Sequence, residues 1–126
     1  MIVDSSALVA ILFGEPDAAA LTRALINEDY VRISTATVLE AALIVSPDLS
    51  SELDDMIVRL GLQVTPFDAE HLAAARSAME TYGKGRGSRA QLNFGDCMSY
   101  ALAKVTGETL LFKGDDFTHT DITPAL

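Results

Sequence analysis

Residues 1–12 read MIVDSSALVAIL, in which an apolar run, one aspartate and an apolar helical pattern follow one another without a break. Met1–Asp4 predicts a buried strand, and Ser5–Phe13 predicts a helix capped by Asp4, Ser5 or Ser6. A carboxylate in such surroundings is costly unless it is paired or its charge is used. Asp4 is therefore either a helix cap or a functional group, and both interpretations stay open.

The rest of the chain alternates short apolar runs with longer helical stretches, which is typical of a parallel sheet covered by helices. Further strands are predicted at residues 30–34, 62–66 and 109–112, and DIT at 121–123 can add a short last one. Helices are predicted at residues 15–27, 35–45, 50–61, 68–82 and 94–105. We therefore expect a single α/β domain over residues 1–126, with three layers and a central, mainly parallel sheet flanked by helices.

Composition narrows the class of protein. The 126 residues carry a formal net charge of −9, which argues against a nucleic-acid coat or a membrane-surface protein. One cysteine and two distant histidines give neither a disulfide framework nor a thiolate zinc site. The first apolar run ends at GEPD, residues 14–17, too soon for a membrane span. A cytoplasmic location without membrane insertion is expected.

Acidic residues recur beside predicted apolar elements. Asp4 ends the first strand, and Asp115 and Asp116 follow the strand near residue 110, so neighbouring parallel strands would bring them to one sheet edge. Glu40 lies on an apolar helical face. Asp96 lies in the first turn of a helix, where the helix dipole is expected to keep it ionised.

Each carboxylate also has an ordinary structural interpretation. Asp4 and Asp96 suit helix starts, and Asp115 and Asp116 suit an exposed turn. Glu40 could form a buried pair with Arg32 or another arginine. Together, however, they would repel one another unless a cation neutralises them. Oxygen ligands alone favour Mg²⁺, with Mn²⁺ as a substitute. Such a site suits phosphodiester hydrolysis by metal-activated water.

Four segments in this order resemble the PIN-domain nucleases, and within them the VapC toxins of toxin–antitoxin pairs. They are MIVDSSALVAI, STATVLEAA, FGDCMSYALA and LLFKGDDFTHTDI. The resemblance covers the whole chain. It implies a small PIN-like α/β domain, a homodimer, Mg²⁺-dependent cleavage of RNA and inhibition by a cognate VapB-type antitoxin.

Carried across residue by residue, the family's acidic quartet falls on Asp4, Glu40, Asp96 and one of Asp115 and Asp116. Asp116 is favoured because it directly precedes Phe117. The resemblance places the metal on Asp4, Asp96 and a member of the Asp115/Asp116 pair.

Residues for substrate binding are less sharply indicated. Ser6 and Asn93 match polar positions near the site in relatives and suit either water or phosphate binding or helix capping. Arg86 and Arg89 lie in a glycine-containing loop and suit either RNA phosphates or a solvated loop.

Two other classes of function are alternatives to a nuclease. One is a non-catalytic PIN-like module whose acidic groove binds a basic protein partner; an incomplete acidic quartet would favour it. The other is a receiver-type phosphoacceptor, but the strands near residues 32 and 64 have no aspartate at their ends. Leu8, Ile11, Leu12 and Phe13 fit ordinary core or, alternatively, a dimer contact.

Overall fold

A computed structural model describes residues 1–126, and a parallel sheet forms its centre. Its strands run in the order β3-β2-β1-β4, and every neighbouring pair is parallel. Their bounds are β1 Ile2–Val3, β2 Arg32–Ser34, β3 Gln63–Thr65 and β4 Leu110–Leu111. The predicted α/β class is confirmed. The strands are shorter than predicted, because only two or three residues of each apolar run take part in the ladder.

Six helices and one 3₁₀ turn surround the sheet. They are α1 Ser5–Leu12, α2 Ala18–Ile26, α3 Thr35–Ile44, the turn Pro47–Leu49, α4 Ser50–Arg59, α5 Ala69–Tyr82 and α6 Phe94–Thr106. Every predicted helix is present, but α2 begins three residues late because Pro16 lies in a turn closed by the Ala18 N–H on the Glu15 carbonyl. The predicted strand at residues 121–123 reduces to one bridge between Leu110 and Pro124.

The hydrophobic core consists of two clusters on opposite faces of the sheet. Val3 and Leu111 belong to one cluster, whereas Ile2 and Leu110 belong to the other. Successive strand residues point to opposite faces, so these pairs divide the core into two layers. Side chains of α1, α2 and α4 complete the first cluster, and those of α5 and α6 complete the second. Leu8 is fully buried in this core, which removes it from any dimer contact.

The carboxyl ends of β1 and β4 lie side by side. The Asp4 N–H donates to the Leu111 carbonyl at 2.9 Å, so the first residue after β1 is bound to the last residue of β4. Helix α3 starts directly after β2, with Ser34 as its cap. None of the helices combines the length and the apolarity that crossing a bilayer requires.

Candidate active site

Asp4 is both a helix cap and a buried carboxylate. Its Oδ2 accepts from the Ser6 N–H at 3.0 Å and from the Ser6 hydroxyl at 2.6 Å, which fixes the start of α1. Its Oδ1 accepts from the Ser99 hydroxyl at 2.6 Å. Only 2% of Asp4 is exposed, and no cationic side chain forms an ion pair with it. The capping role is therefore present, and it leaves the negative charge uncompensated.

Glu40 is held on α3 by a neighbour of Asp4. The Ser5 hydroxyl donates to Oε2 of Glu40 at 2.9 Å. Burial raises the pKa of Glu40; the Ser5 hydrogen bond opposes this, and the charge of Asp4 adds to it. The pairing with Arg32 considered from the sequence is wrong, because the Arg32 guanidinium lies 3.1 Å from Glu108. Glu40 therefore faces other acids without a cation.

Asp96 lies in the first turn of α6 and forms a reciprocal cap with Asn93. Its N–H donates to the Asn93 side chain at 2.9 Å, and its Oδ2 accepts from the Asn93 N–H at 2.8 Å. Burial raises the pKa of Asp96 to about 7; the Asn93 N–H opposes this, and the charges of Asp4, Asp116 and Glu40 add to it. The helix start therefore does not by itself hold the pKa of Asp96 low in the metal-free protein, because burial and three like charges outweigh the dipole and the cap.

The loop after β4 brings the last acids to the same place. The Lys113 N–H donates to the Ser6 hydroxyl at 3.0 Å, which attaches this loop to the start of α1. Phe117 is buried against Phe112, with ring centroids 5.0 Å apart. Asp115 and Asp116 are both exposed, and of the two only Asp116 acts on the pKa of Asp96. This supports Asp116 over Asp115 as the acid closer to Asp96.

The polar and basic candidates are placed differently from one another. Ser6 contacts both Asp4 and the loop after β4, so it lies within the cluster, and its N–H donates to Asp4, which is the cap of α1. Asn93 is an exposed helix cap beside Asp96. Arg86 and Arg89 are exposed on the loop between α5 and α6, and no hydrogen bond or ion pair ties their side chains to the carboxylates. The structure therefore does not join these arginines to the acidic cluster.

Two hydroxyl residues of the site, Thr37 and Ser99, were not singled out from the sequence, and Ser5 was considered only as a helix cap. Ser99 donates to Asp4 and lies 3.0 Å from the Thr37 hydroxyl, and both side chains are fully buried. Ser99 follows Asp96 by three residues on α6, so it shares its helix face. That spacing was the available signal, but a serine among apolar residues has no distinctive pattern.

Glycine at position 95 makes room for Glu40. A Cβ atom there would lie 1.7 Å from Oε1 of Glu40, well inside contact distance. The carboxylate of Glu40 therefore lies against the backbone at the start of α6, one residue before Asp96. This close approach explains how acids from α3 and α6 become neighbours.

The donor chemistry of this cluster fits a hard divalent cation. Its ligands are carboxylate and hydroxyl oxygens, and its acids raise one another's proton affinity without a nearby basic partner. No three carboxylate, imidazole or thiolate side chains already converge closely enough to hold a metal ion together. Mg²⁺ does not require this, since it commonly keeps several waters and uses one or two carboxylates with substrate phosphate.

Two acids at helix starts, Asp4 and Asp96, one within a helix, Glu40, and one in a loop, Asp116, lie at the carboxyl edge of the parallel sheet of this α/β protein. The PIN domain family matches residues 1–122. The ribonuclease VapC42 of Mycobacterium tuberculosis is 47% identical over 129 residues, covering 99% of this chain and 98% of the relative. The chain belongs to the PIN-domain family and, within it, to the VapC ribonucleases.

Solved structures agree on the fold. The VapC20 toxin of Mycobacterium tuberculosis has a TM-score of 0.75 at 16% identity, covering 97% of this chain and 95% of that one. A toxin–antitoxin complex from Klebsiella pneumoniae has a TM-score of 0.73 at 15% identity, covering 99% and 97%. At such identities the likeness supports the PIN fold alone.

Proposed function

We propose that this VapC-family ribonuclease is a toxin that hydrolyses RNA phosphodiester bonds with the help of Mg²⁺, for which Mn²⁺ can substitute. The observation that carries the proposal is the convergence of Asp4, Glu40, Asp96 and Asp116, whose like charges act on one another without a basic partner. A bound divalent ion would relieve that repulsion. Because the proposed substrate is RNA, we expect the protein to act in the cytoplasm.

The chain's own residues divide the chemistry between them. Asp4, Asp96 and Asp116 would hold the ion, with Asp115 next to them in the exposed turn. A bound Mg²⁺ supplies Lewis-acid chemistry, which activates water and stabilises charge on phosphate oxygens.

Glu40 is the group suited to move a proton. Oε2 of Glu40 accepts from Ser5, so Oε1 is the atom left to take a proton from the attacking water. Burial raises the pKa of Glu40, which makes it a stronger base than an ordinary glutamate.

The test is cleavage of total RNA by the purified protein with Mg²⁺ or with EDTA, beside Asp96→Asn. Asp54→Asn is the matched control, because it removes an equally sized charge from the exposed surface of α4. We expect cleavage by the wild type and Asp54→Asn with Mg²⁺, and none by Asp96→Asn or with EDTA. Cleavage that survives both the chelator and Asp96→Asn would contradict the proposal.

Substrate binding is assigned to Ser6, Asn93, Arg86 and Arg89. Support for the arginines comes from charge: the chain carries −9 overall, and both guanidinium groups are exposed without an ion-pair partner. Phosphate contacts need such free cations. Ser6 and Asn93 lie beside Asp4 and Asp96, where a hydroxyl and an amide can hold water or phosphate.

A cognate VapB-type antitoxin is proposed as the protein partner. A basic side chain reaching the uncompensated carboxylates would gain ion pairs there. A hollow of about 340 Å³, lined mainly by apolar side chains of α1 and α4, adds a separate place for an apolar segment. Co-expression with the neighbouring reading frame tests this. A stable complex that no longer cleaves RNA is expected; two co-expressed proteins that purify separately, with the nuclease still active, would contradict it.

A homodimer is proposed from the exposed apolar face of α3 and the start of α6. Leu43 is 79% exposed, Phe94 75% and Leu39 64%, which is unusual for neighbouring large side chains. Light scattering of Leu43→Asp, beside Val58→Asp on α4 as an equally exposed control at 78%, tests the assignment. We expect only Leu43→Asp to become monomeric; a monomeric wild type would refute the dimer.

A further inference from the structure

We propose that Ser99 and Thr37 are positioning residues that orient the Asp4 carboxylate through a buried chain of hydroxyl groups. The inference rests on the proposed function, because it assigns Asp4 to a divalent-cation site. Its basis is the hydrogen bonding of Asp4 itself rather than the presence of an acidic cluster.

Both oxygens of Asp4 already have donors. Ser6 supplies two hydrogen bonds to Oδ2, and Ser99 supplies one of 2.6 Å to Oδ1. The donors come from α1 and α6, so the carboxylate plane is fixed from two sides. Without the Ser99 hydrogen bond, only Oδ2 would be held, by Ser6, and the carboxylate could rotate so that Oδ1 changes position.

The direction of the hydroxyl chain follows from its proton count. An ionised carboxylate only accepts, so the single hydroxyl proton of Ser99 must go to Asp4. Ser99 can then only accept from Thr37, whose hydroxyl oxygen lies 3.0 Å away. Thr37 therefore donates to Ser99, and Ser99 donates to Asp4. Water cannot replace either donor readily, because both side chains are fully buried.

The chain connects the elements that carry the other acids. Thr37 precedes Glu40 by three residues on α3, and Ser99 follows Asp96 by three residues on α6. Each hydroxyl therefore lies about one helical turn from an acid of the cluster. The contact fixes α3 and α6 against the end of β1 while it orients Asp4. Such partners of metal ligands typically change metal affinity about 10- to 100-fold when removed.

The experiment measures Mn²⁺ binding, by electron paramagnetic resonance of the free ion, rather than cleavage. Ser99→Ala removes the donor to Asp4, and we expect its Kd for Mn²⁺ to rise about tenfold or more. Thr37→Val keeps the shape but removes the donor to Ser99, and a smaller rise is expected. Thr37→Ser retains the hydroxyl and should retain wild-type affinity.

Thr106→Val is the control on the same helix, because the Thr106 hydroxyl donates to the Leu102 carbonyl at 2.8 Å, away from Asp4. Thermal unfolding in EDTA distinguishes a purely structural role of Ser99 and Thr37 from a role in orienting Asp4. With a purely structural role, the substitutions would lower the unfolding midpoint and leave the Kd for Mn²⁺ unchanged. If Ser99→Ala does not fold, the comparison of Thr37→Val with Thr37→Ser decides alone.

The outcomes distinguish this inference from the proposed function. The positioning role is overturned if the wild type binds Mn²⁺, the Kd of Ser99→Ala lies within twofold of the wild-type Kd, and Thr37→Val and Thr37→Ser have equal Kd values. The nuclease proposal would still stand. A wild type that binds no Mn²⁺ overturns both. Weakened binding in Ser99→Ala and Thr37→Val, with Thr37→Ser unaffected, supports the inference.

Discussion

Asp96→Asn should stabilise the metal-free protein at alkaline pH. Burial and the charges of the other acids raise the pKa of Asp96 from 3.8 to about 7 in the folded state. Folding therefore takes up a proton between these values, so the free energy of unfolding falls as the pH rises through this window. Below it, Asp96 is protonated in both states and the penalty disappears. Asparagine never ionises and can still accept the Asn93 N–H.

The magnitude follows from the same values. One pKa unit corresponds to about 1.36 kcal/mol, so ionising Asp96 between pH 5 and pH 8 costs at most about 2.7 kcal/mol. Because the neighbouring acids titrate together with Asp96, we expect the free energy of unfolding of the wild type to fall by about 1.5–2.5 kcal/mol between these pH values. The stability of Asp96→Asn relative to the wild type should increase by that amount over the same range.

Urea unfolding in EDTA at pH 5 and pH 8 measures the difference. Asp54→Asn serves again as the control for net charge, since its side chain is exposed and its advantage should not grow with pH. Saturating Mg²⁺ at pH 8 should stabilise the wild type and have little effect on Asp96→Asn. If the free energies of unfolding of the wild type and Asp96→Asn differ by the same amount at both pH values, the prediction is wrong.

Two further predictions concern the surroundings of the cluster. Gly95→Ala should reduce RNA cleavage at least tenfold with little loss of stability, because the new methyl group displaces the flexible end of Glu40 rather than backbone; unchanged cleavage together with an unchanged fold would contradict this. Replacing Arg86 and Arg89 by alanine should weaken binding of uncleaved RNA. The slope of log affinity against log salt concentration should become shallower by about 0.7 for each RNA phosphate that is no longer neutralised. Arg23→Ala, an exposed control on α2, should change neither the affinity nor the slope. Filter binding at several salt concentrations measures this, and equal salt slopes would remove both arginines from the substrate surface.

The sequence alone was sufficient for the order of elements, because local patterns specify them. Alternating apolar runs marked the strands, and the capping groups at Asp4 and Asn93 marked two helix starts. Since parallel strands end at one edge, the sequence also predicted that acids following β1 and β4 would be neighbours. Glu40, on an apolar helical face, and Asp96, at a helix start, were also candidates from the sequence, and the family resemblance placed them in the same acidic set.

Tertiary structure alone decided how these groups interact. Arg32 could have paired with Glu40, but in the fold it lies beside Glu108. The sequence predicted the low pKa of a helix-start carboxylate for Asp96, whereas burial and three like charges in the fold raise that pKa. The hydrogen bond of Ser99 exists only because α6 packs against Asp4, a residue 95 positions earlier in the chain. The physical reason is common to all three: proton affinity and hydrogen bonding depend on distances across the fold, which local patterns do not contain.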